Sequence, residues 1–268
     1  MLVNKVADTP GYSPSHSGDA ITVVGFGGCL ILGYPLSEET GFLRQAATRA
    51  QIEVAAEIKL SIISLHSCPA TKAIESLEEK VLPLHPDIVV LQFGQTDAKV
   101  AVRRLWNELF GGRPSSKPPV VVSDRPATWR NRVDLFVRSC AGLALGAHPF
   151  TSRADYRQNI SKMVEAVVSS GAYPIVFTPF VFYNFLADAW ARCYSCDIVA
   201  DFAGRADVCI VDSWSLLAQY PRSQMLLHDG LHLSRRAHEI LAECLQAKLV
   251  ERIQAQDSNV RDPAVSCA

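Results

Sequence analysis

The sequence lacks the features that define several large classes of protein. Lys and Arg total 26 and Asp and Glu total 27, so a formal net charge of −1 gives no global signal for nucleic acid. No run of about 18 apolar residues is present, so we expect no transmembrane helix. The first 19 residues lack the apolar core of a signal peptide, and their Ser, Pro and Gly content predicts a disordered arm over 1–19.

The eight cysteines lack the regular spacing of a secreted disulfide framework. We interpret them as reduced thiols of a cytoplasmic protein. Cys193 and Cys196 form a C-x-x-C pair, but no second pair or His cluster lies close to them in the sequence. We therefore expect no metal site, and we expect the protein to need no cofactor.

A content of 49% hydrophobic and 20% charged residues is typical of a globular domain with a sizeable core. Apolar runs predict strands, and amphipathic segments between them predict helices. The predicted strands cover 21–24, 54–63, 87–93, 173–178 and 208–211, and the predicted helices cover 38–50, 71–82, 152–170, 183–202 and 234–252. This alternation predicts one α/β domain over 20–252, with a parallel sheet between helices on both faces, and a flexible tail over 253–268.

The regular alternation stops after the third predicted strand, over about residues 100–150. This stretch contains several Pro and Gly residues, and eight Lys or Arg against three Asp or Glu. We interpret it as an insertion that forms a lid or side wall of the domain. Its basic residues form either a solvated face or a surface for an anionic ligand, and its apolar patches would cover an acyl chain or a second subunit.

Three glycines, Gly25, Gly27 and Gly28, follow the first predicted strand and precede Cys29. Glycines at this place allow a sharp turn with unusual backbone angles. In an open α/β sheet, ligands bind at the carboxyl ends of the strands. Cys29 is therefore a candidate nucleophile, and the alternative is a small buried cysteine on a tight turn.

Two other segments carry polar residues that a core does not require. The sequence GQTD at 94–97 follows the third predicted strand, and DGLH at 229–232 precedes the last predicted helix. Asp229 and His232 provide a base and a carboxylate to orient it, as a nucleophile needs. The alternative for this pair is a helix-entry loop with an Asx turn.

Together these segments resemble the SGNH/GDSL hydrolase family, over about residues 21–251. The family's Gly-Asp-Ser block stands here as GGC at 27–29, with Gly33 four residues after the cysteine. Its Gly-x-Asn-Asp block stands as GQTD at 94–97, and its Asp-x-x-His block as DGLH at 229–232. The resemblance implies a three-layer, flavodoxin-like fold with a five-stranded parallel sheet in the order 2-1-3-4-5.

The resemblance also implies roles for nine residues. They are the catalytic triad Cys29, His232 and Asp229; the oxyanion-hole residues Cys29, His66, Thr96 and Gln95; and the substrate-binding residues Gly28, Gly94 and Asp97. Four features depart from the family pattern. The nucleophilic Ser is Cys29, the Asp before it is Gly28, and the Asn of the oxyanion hole is Thr96. The block after the second strand, which supplies a Gly amide in the family, reads SLHSCP at 64–69 without a glycine, and His66 lies nearest that position.

A cysteine nucleophile changes the expected reaction. An acyl-cysteine is a thioester, which passes its acyl group to amines, alcohols or thiols. We therefore predict a cysteine acyltransferase or thioesterase that acts through acyl-Cys29. The donor would be a small molecule or carrier-bound, such as coenzyme A or acyl carrier protein, and a homodimer is one expected assembly. The alternatives are an ester hydrolase for carbohydrate or small-molecule esters, and a binding protein without activity.

Overall fold

Five parallel strands form the centre of the fold in the computed structural model, which describes residues 20–99, 128–144 and 146–261. The strands are β1 Ile21–Gly27, β2 Ile58–Ser64, β3 Ile88–Gln92, β4 Tyr173–Phe177 and β5 Cys209–Val211. Their order is β2-β1-β3-β4-β5, and every neighbouring pair is parallel. This arrangement confirms the predicted α/β fold and its strand order.

Helices cover both faces of the sheet. They are α1 Phe42–Val54, α2 Ala73–Ser76, α3 Trp129–Ala144, α4 Arg153–Ser169, α5 Phe185–Asp201, α6 Ser213–Ala218, α7 Arg222–Met225 and α8 Arg235–Arg261. On one face α1 packs against α8, and on the other α4 packs against α2 and α5. No helix within the described ranges is long and apolar enough to cross a membrane.

The central strand β3 is buried along its whole length, because helices cover both of its faces. Val90 faces the core on the α1 and α8 side, whereas Val89 and Leu91 face the core on the α4 and α5 side. Gln92, the last residue of β3, is a polar exception and is only 1% exposed. Its side chain lies at the carboxyl edge of the sheet, close to Cys29.

The glycines before Cys29 have a different purpose from the predicted one. The strand β1 continues through Gly25 to Gly27, and neither these residues nor Gly28 has a positive φ. A Cβ atom on Gly27 would lie 2.4 Å from the carbonyl oxygen of Gln92, and one on Gly25 would lie 2.1 Å from Leu43 Cδ2. The prediction of a sharp glycine turn is therefore wrong, because these glycines allow close packing instead.

Two element boundaries also differ from the prediction. The second strand begins at Ile58 rather than residue 54, because α1 continues to Val54 and Ala55 then takes a left-handed conformation. The last helix ends at Arg261, nine residues beyond the predicted end, so 253–261 is helical rather than a flexible tail. The buried side chain of Ile253 extends the core-facing stripe of this helix past its predicted end.

Only part of the predicted insertion lies within the described residues. Residues 1–19, 100–127, 145 and 262–268 lie outside them, so the predicted N-terminal arm and most of the basic insertion do too. The described part contains α3, whose Leu135 approaches Gly230 closely and whose Arg132 lies over the ring of Tyr183, 5.6 Å from its centroid. This helix therefore packs beside the loop that carries Asp229 and His232.

Candidate active site

A small cavity opens at the carboxyl edge of the sheet, where open α/β folds bind ligands. It is lined by Cys29 after β1, Ser67 after β2, Gln92 at the end of β3, Thr96 in the next loop and His232 before α8. Its volume is about 20 Å³. One water molecule needs about 10–15 Å³ on this measure, so the cavity holds little more than one water-sized group.

The structure brings Cys29, His232 and Asp229 together in the predicted order. The Sγ atom of Cys29 lies 3.7 Å from Nε2 of His232. The other ring nitrogen, Nδ1, bonds to Oδ2 of Asp229. The second carboxylate oxygen accepts hydrogen bonds from the backbone N–H groups of Leu231 and His232, each at 3.0 Å. The Asx turn is therefore also present, and it fixes the carboxylate that orients the ring.

The charges of these residues favour a protonated imidazole. Burial opposes protonation of His232, but hydrogen bonds and negative charge from Asp229 and Cys29 outweigh it and raise the pKa of His232 to about 9. Burial likewise opposes ionisation of Asp229, but its hydrogen bonds and the His232 charge leave its pKa below the usual range. A carboxylate and an imidazolium therefore lie in line with the Cys29 sulfur at neutral pH.

The backbone around Cys29 holds the thiol at the cleft. Cys29 begins a single 3₁₀ turn, Cys29–Leu32, which Gly33 ends with a φ of +85°. A Cβ atom on Gly33 would lie 2.7 Å from Cα of Gly41, so only glycine fits there. Because the turn is so short, we attribute the reactivity expected of Cys29 to His232 rather than to a helix dipole.

The loop after β2 places Ser67, rather than His66, against the cavity. The ring of His66 is exposed and lies edge-on to Tyr34, with 5.9 Å between the ring centroids. The Leu65 N–H donates to the carbonyl of Gly27, and the Cys68 N–H donates to Leu65. The N–H groups of His66 and Ser67 remain as candidates in this loop, and Ser67 lines the cavity with a φ of +52°.

Thr96, Gln95 and Gly94 all line the cavity, as the sequence predicts. Gln95 is buried, and its Oε1 accepts a hydrogen bond of 2.9 Å from the backbone N–H of Phe180. The carboxamide nitrogen of Gln95 has no hydrogen-bonding partner within the described residues. Gly94 has a φ of +104°, and a Cβ atom there would lie 2.3 Å from Cγ of Pro179, so this position requires glycine.

Asp97 does not reach the cavity, which corrects its expected role in substrate binding. Its side chain is fully buried. The carboxylate accepts hydrogen bonds from the N–H groups of Ala70 and Gly94 and from the hydroxyl of Thr151. Burial nevertheless raises the pKa of Asp97. Its carboxylate faces inward because it ties the 94–97 loop to two distant segments of the chain, which holds Gln95 and Thr96 in position.

The structure adds cavity residues that the sequence reasoning missed, namely Cys68, Gln92 and Lys99, and it places Tyr34 beside the catalytic histidine candidate. Tyr34 lies edge-on to His232, with 5.1 Å between the ring centroids. Cys68 and Lys99 line the cavity with Cys29. Burial lowers the pKa of Lys99, while the charges of Cys29 and Asp229 oppose that shift. The one sequence feature that could have indicated these residues is Gln92, because it is a polar residue at the end of an otherwise apolar strand.

The C-x-x-C pair lies apart from this cavity. Cys193 and Cys196 belong to α5, and both are free thiols. Within the part of the chain that the structure describes, no group of three or more His, Cys, Asp or Glu residues is placed to bind a metal ion.

Comparison with known proteins adds likeness of structure but not of sequence. No protein-family model matches the chain, and a search of curated proteins also finds no match. Similar solved structures include a catalytic mutant of an acetylxylan esterase from Geobacillus stearothermophilus. It has 15% identity and a TM-score of 0.59, over 87% of this chain and 95% of that one.

Two lipases give comparable values. The lipase Lip_vut3 from a goat rumen metagenome has 14% identity and a TM-score of 0.58, over 85% of this chain and 97% of that one. A lipase/acylhydrolase from Enterococcus faecalis has 17% identity and a TM-score of 0.54, over 87% and 96%. Identities this low show the fold alone. The chain therefore has the fold of the SGNH/GDSL lipases and esterases.

Proposed function

We propose that the protein is a cysteine-dependent acyltransferase or thioesterase that acts through a thioester on Cys29. The observation that supports this best is the 3.7 Å contact between Cys29 Sγ and His232 Nε2, with Asp229 on the other ring nitrogen. A nucleophile, a base and an orienting group in this order are the parts that covalent acyl transfer requires.

In the first half-reaction, the Cys29 thiolate attacks the carbonyl carbon of an acyl thioester or ester. A bond forms between Sγ and that carbon, and the bond from the carbon to the donor's sulfur or oxygen breaks. The imidazolium of His232 gives its Nε2 proton to the departing atom, so acyl-Cys29 and a free thiol or alcohol result. The 3.7 Å contact between Sγ and Nε2 supports this role for His232.

In the second half-reaction, His232 acts as the base. Acylation removes the negative charge of Cys29, which is one of the causes that raise the pKa of His232. The neutral ring then takes a proton from an acceptor, which attacks the acyl carbon and releases the thiolate. With an amine, alcohol or thiol as acceptor the reaction is a transfer, and with water it is thioester hydrolysis.

The oxyanion of each tetrahedral intermediate needs hydrogen-bond donors near Sγ. We assign this role to the backbone N–H groups of Cys29 and Ser67, with Thr96 or Gln95 as a third donor. Loss of one such donor costs about 10²–10³ in rate in serine enzymes. A thiolate is a stronger nucleophile than a neutral hydroxyl, which makes the replacement of Asn by Thr96 easier to tolerate.

We also propose the donor and the compartment. The excess of basic residues over 100–150 would attract an anionic donor such as coenzyme A or acyl carrier protein. A catalytic thiol needs a reducing environment, which favours the cytoplasm. Exposed apolar side chains on α3, among them Phe136 at 60% exposure, favour a homodimer.

Ester hydrolysis is the second candidate function, and the likeness of fold to lipases and an acetylxylan esterase favours it. The same three residues would then pass the acyl group to water. The two candidates differ in what happens when Cys29 becomes Ser, because a hydroxyl needs more help from the base and the oxyanion donors than a thiolate does.

Product analysis on the parent and on Cys29→Ser and Cys29→Ala tests the proposal. We expect the parent to consume acyl thioesters, to form new products when amine, alcohol or thiol acceptors are added, and to lose most activity in both variants. A Cys29→Ser variant more active than the parent on simple esters would favour the ester hydrolase. Equal and negligible turnover by all three proteins would contradict both and favour a binding protein.

A further inference from the structure

Gln92 is a polar side chain inside the site with no hydrogen-bonding partner. It is 1% exposed, and it lines the cavity together with Cys29 and His232. Neither its carboxamide oxygen nor its nitrogen has a partner among the described residues. Buried polar groups in folded proteins are nearly always hydrogen-bonded, so this pair of atoms marks a place where a ligand group binds.

Gly28, the residue before Cys29, lies close to the carboxamide of Gln92. A Cβ atom on Gly28 would meet one atom within 4 Å, the Oε1 of Gln92, at 3.9 Å. Gly28 and Gln92 both line the cavity, so the absence of a side chain at position 28 leaves space beside the carboxamide of Gln92.

The size and polarity of the cavity define the group that fits. A volume of about 20 Å³ accepts little more than one water-sized group beside Cys29. The Nε2 atom of Gln92 offers a donor, and its Oε1 atom offers an acceptor. A methyl group would leave both atoms unpaired, and a carboxylate would leave Oε1 unpaired. A hydroxyl both donates and accepts, so it satisfies both kinds of group.

We propose that Gln92 binds the hydroxyl of a short hydroxyacyl group on Cys29, and so selects donors hydroxylated at C2 or C3 over their alkyl counterparts. This inference rests on the proposed acyl-Cys29 chemistry and names its substrate class. The acyl group is the part of the substrate concerned, because it stays bonded to Sγ in the proposed intermediate after the leaving group has departed. A site built to bind a hydroxyl rejects the analogue that lacks it, because its buried polar atoms are left unpaired.

Two matched pairs of N-acetylcysteamine thioesters test this selectivity: glycolyl against propionyl, and 3-hydroxypropionyl against butyryl. In each pair a hydroxyl replaces a methyl group of similar size. The rate of acylation of Cys29 is measured by intact mass in single turnover, and each rate is divided by that of free N-acetylcysteine with the same thioester. We expect the hydroxylated member of at least one pair to react at least tenfold faster after this correction.

The variant Gln92→Met keeps the length of the side chain and removes both polar atoms. We expect it to lose the preference, so that the corrected rates within each pair agree to about threefold. Gln219→Met makes the same change at an exposed position far along the chain and should keep the parent's ratio.

The outcomes separate this inference from the function on which it rests. No acylation of Cys29 by any of the four thioesters would overturn the proposed function and this inference with it. Equal corrected rates within both pairs in the parent would overturn the inference alone and leave acyl-Cys29 chemistry standing. A preference that persists in a folded Gln92→Met variant would also overturn the inference. If this variant does not fold, the ratio of rates in the parent still decides the question.

Discussion

The Nε2 atom of His232 lies 3.7 Å from Sγ of Cys29, although 203 positions separate the two residues in the chain. The last loop before α8 and the end of β1 meet at one edge of the sheet, and this contact links them. The hydrogen bond from Nδ1 to Asp229 fixes the ring, so Nε2 faces the thiol.

The first expected consequence is unusual reactivity of Cys29. The imidazolium of His232 stabilises the thiolate, so we expect Cys29 to be alkylated by iodoacetamide faster than the exposed Cys140 and Cys196 at pH 7. Burial, and then the charge of Asp97, raises the pKa of the neighbouring Cys68 thiol, which should therefore react slowly. Peptide mass mapping over time measures the order.

The variant His232→Ala should slow alkylation of Cys29 by about tenfold or more, since it removes the paired cation. Tyr220→Phe, a change at a half-buried position outside the cavity, serves as the matched control and should leave the rate as it is. Earlier modification of Cys140 or Cys196, or an unchanged rate at Cys29 in His232→Ala, would contradict this prediction.

The second consequence is an upper pH limit on acylation. His232 must hold its proton to release the leaving group, and its pKa of about 9 means that this form is lost as the pH rises through 9. Single-turnover acylation should therefore decline above about pH 9. Asp229→Asn removes one cause of the raised pKa, so the decline should begin at a lower pH. An identical limit in parent and variant would contradict the assignment of this proton to His232.

The third consequence concerns stability in acid. Burial, reinforced by the charge of His232, lowers the pKa of His238 to about 3. The unfolded chain has a His pKa of about 6.5, so it binds a proton that the folded state excludes between pH 6.5 and 3. Stability is therefore full above pH 6.5 and falls as the pH drops. At pH 5 the expected loss from this residue is about 2 kcal/mol.

Urea unfolding at pH 7 and pH 5 measures this loss, with His238→Gln as the comparison. Glutamine keeps an acceptor for the N–H of Phe42, which now donates to Nδ1 of His238 at 3.3 Å. The variant should lose less stability than the parent between the two pH values. An equal loss in both proteins would mean that His238 does not exclude the proton.

The fourth consequence contrasts two glycines of the site. Gly94→Ala combines a φ of +104° with a Cβ atom 2.3 Å from Pro179, so we expect a loss of about 1–3 kcal/mol or more. Gly28→Ala has open space around its Cβ and should change stability by about 0.5 kcal/mol or less. Thermal unfolding of the two variants checks the contrast, and similar shifts would count against the described packing.

The fold follows from the sequence because β1, β3 and β4 are apolar runs that are buried on both faces. Ile88 to Leu91 is such a run, and its central position in the sheet is predictable from the alternation of strands and helices. The residues 54–57 were assigned wrongly because Val54 suits a helix end as well as a strand, and short apolar segments do not distinguish the two.

Part of the candidate site could likewise be predicted from the sequence, and part could not. Cys29, Asp229 and His232 stand in short sequence blocks, so their meeting could be predicted before the structure. The roles of Asp97 and His66 could not, because they depend on partners distant in the chain. Thr151 and Ala70 draw the Asp97 carboxylate inward, and the bond from Leu65 to Gly27 sets which residue of the next loop lines the cavity.

The environment of the Gln92 side chain also could not be predicted from the sequence. At the sequence level Gln92 is the polar residue that ends β3, and nothing near it predicts an open carboxamide. Its position beside Gly28 and Cys29 comes from the parallel register that pairs Gly27, the last residue of β1, with Gln92.

The central claim is that Cys29 carries the acyl group, and the direct test is to trap it. The protein is mixed with an excess of an acyl thioester, quenched in acid within seconds, and digested for peptide mass analysis. We expect one added acyl group on the peptide that contains Cys29, released by neutral hydroxylamine as a thioester is, and absent from Cys29→Ala. Turnover of the donor with no acyl group on Cys29, or with an equal mass increase in Cys29→Ala, would contradict the account.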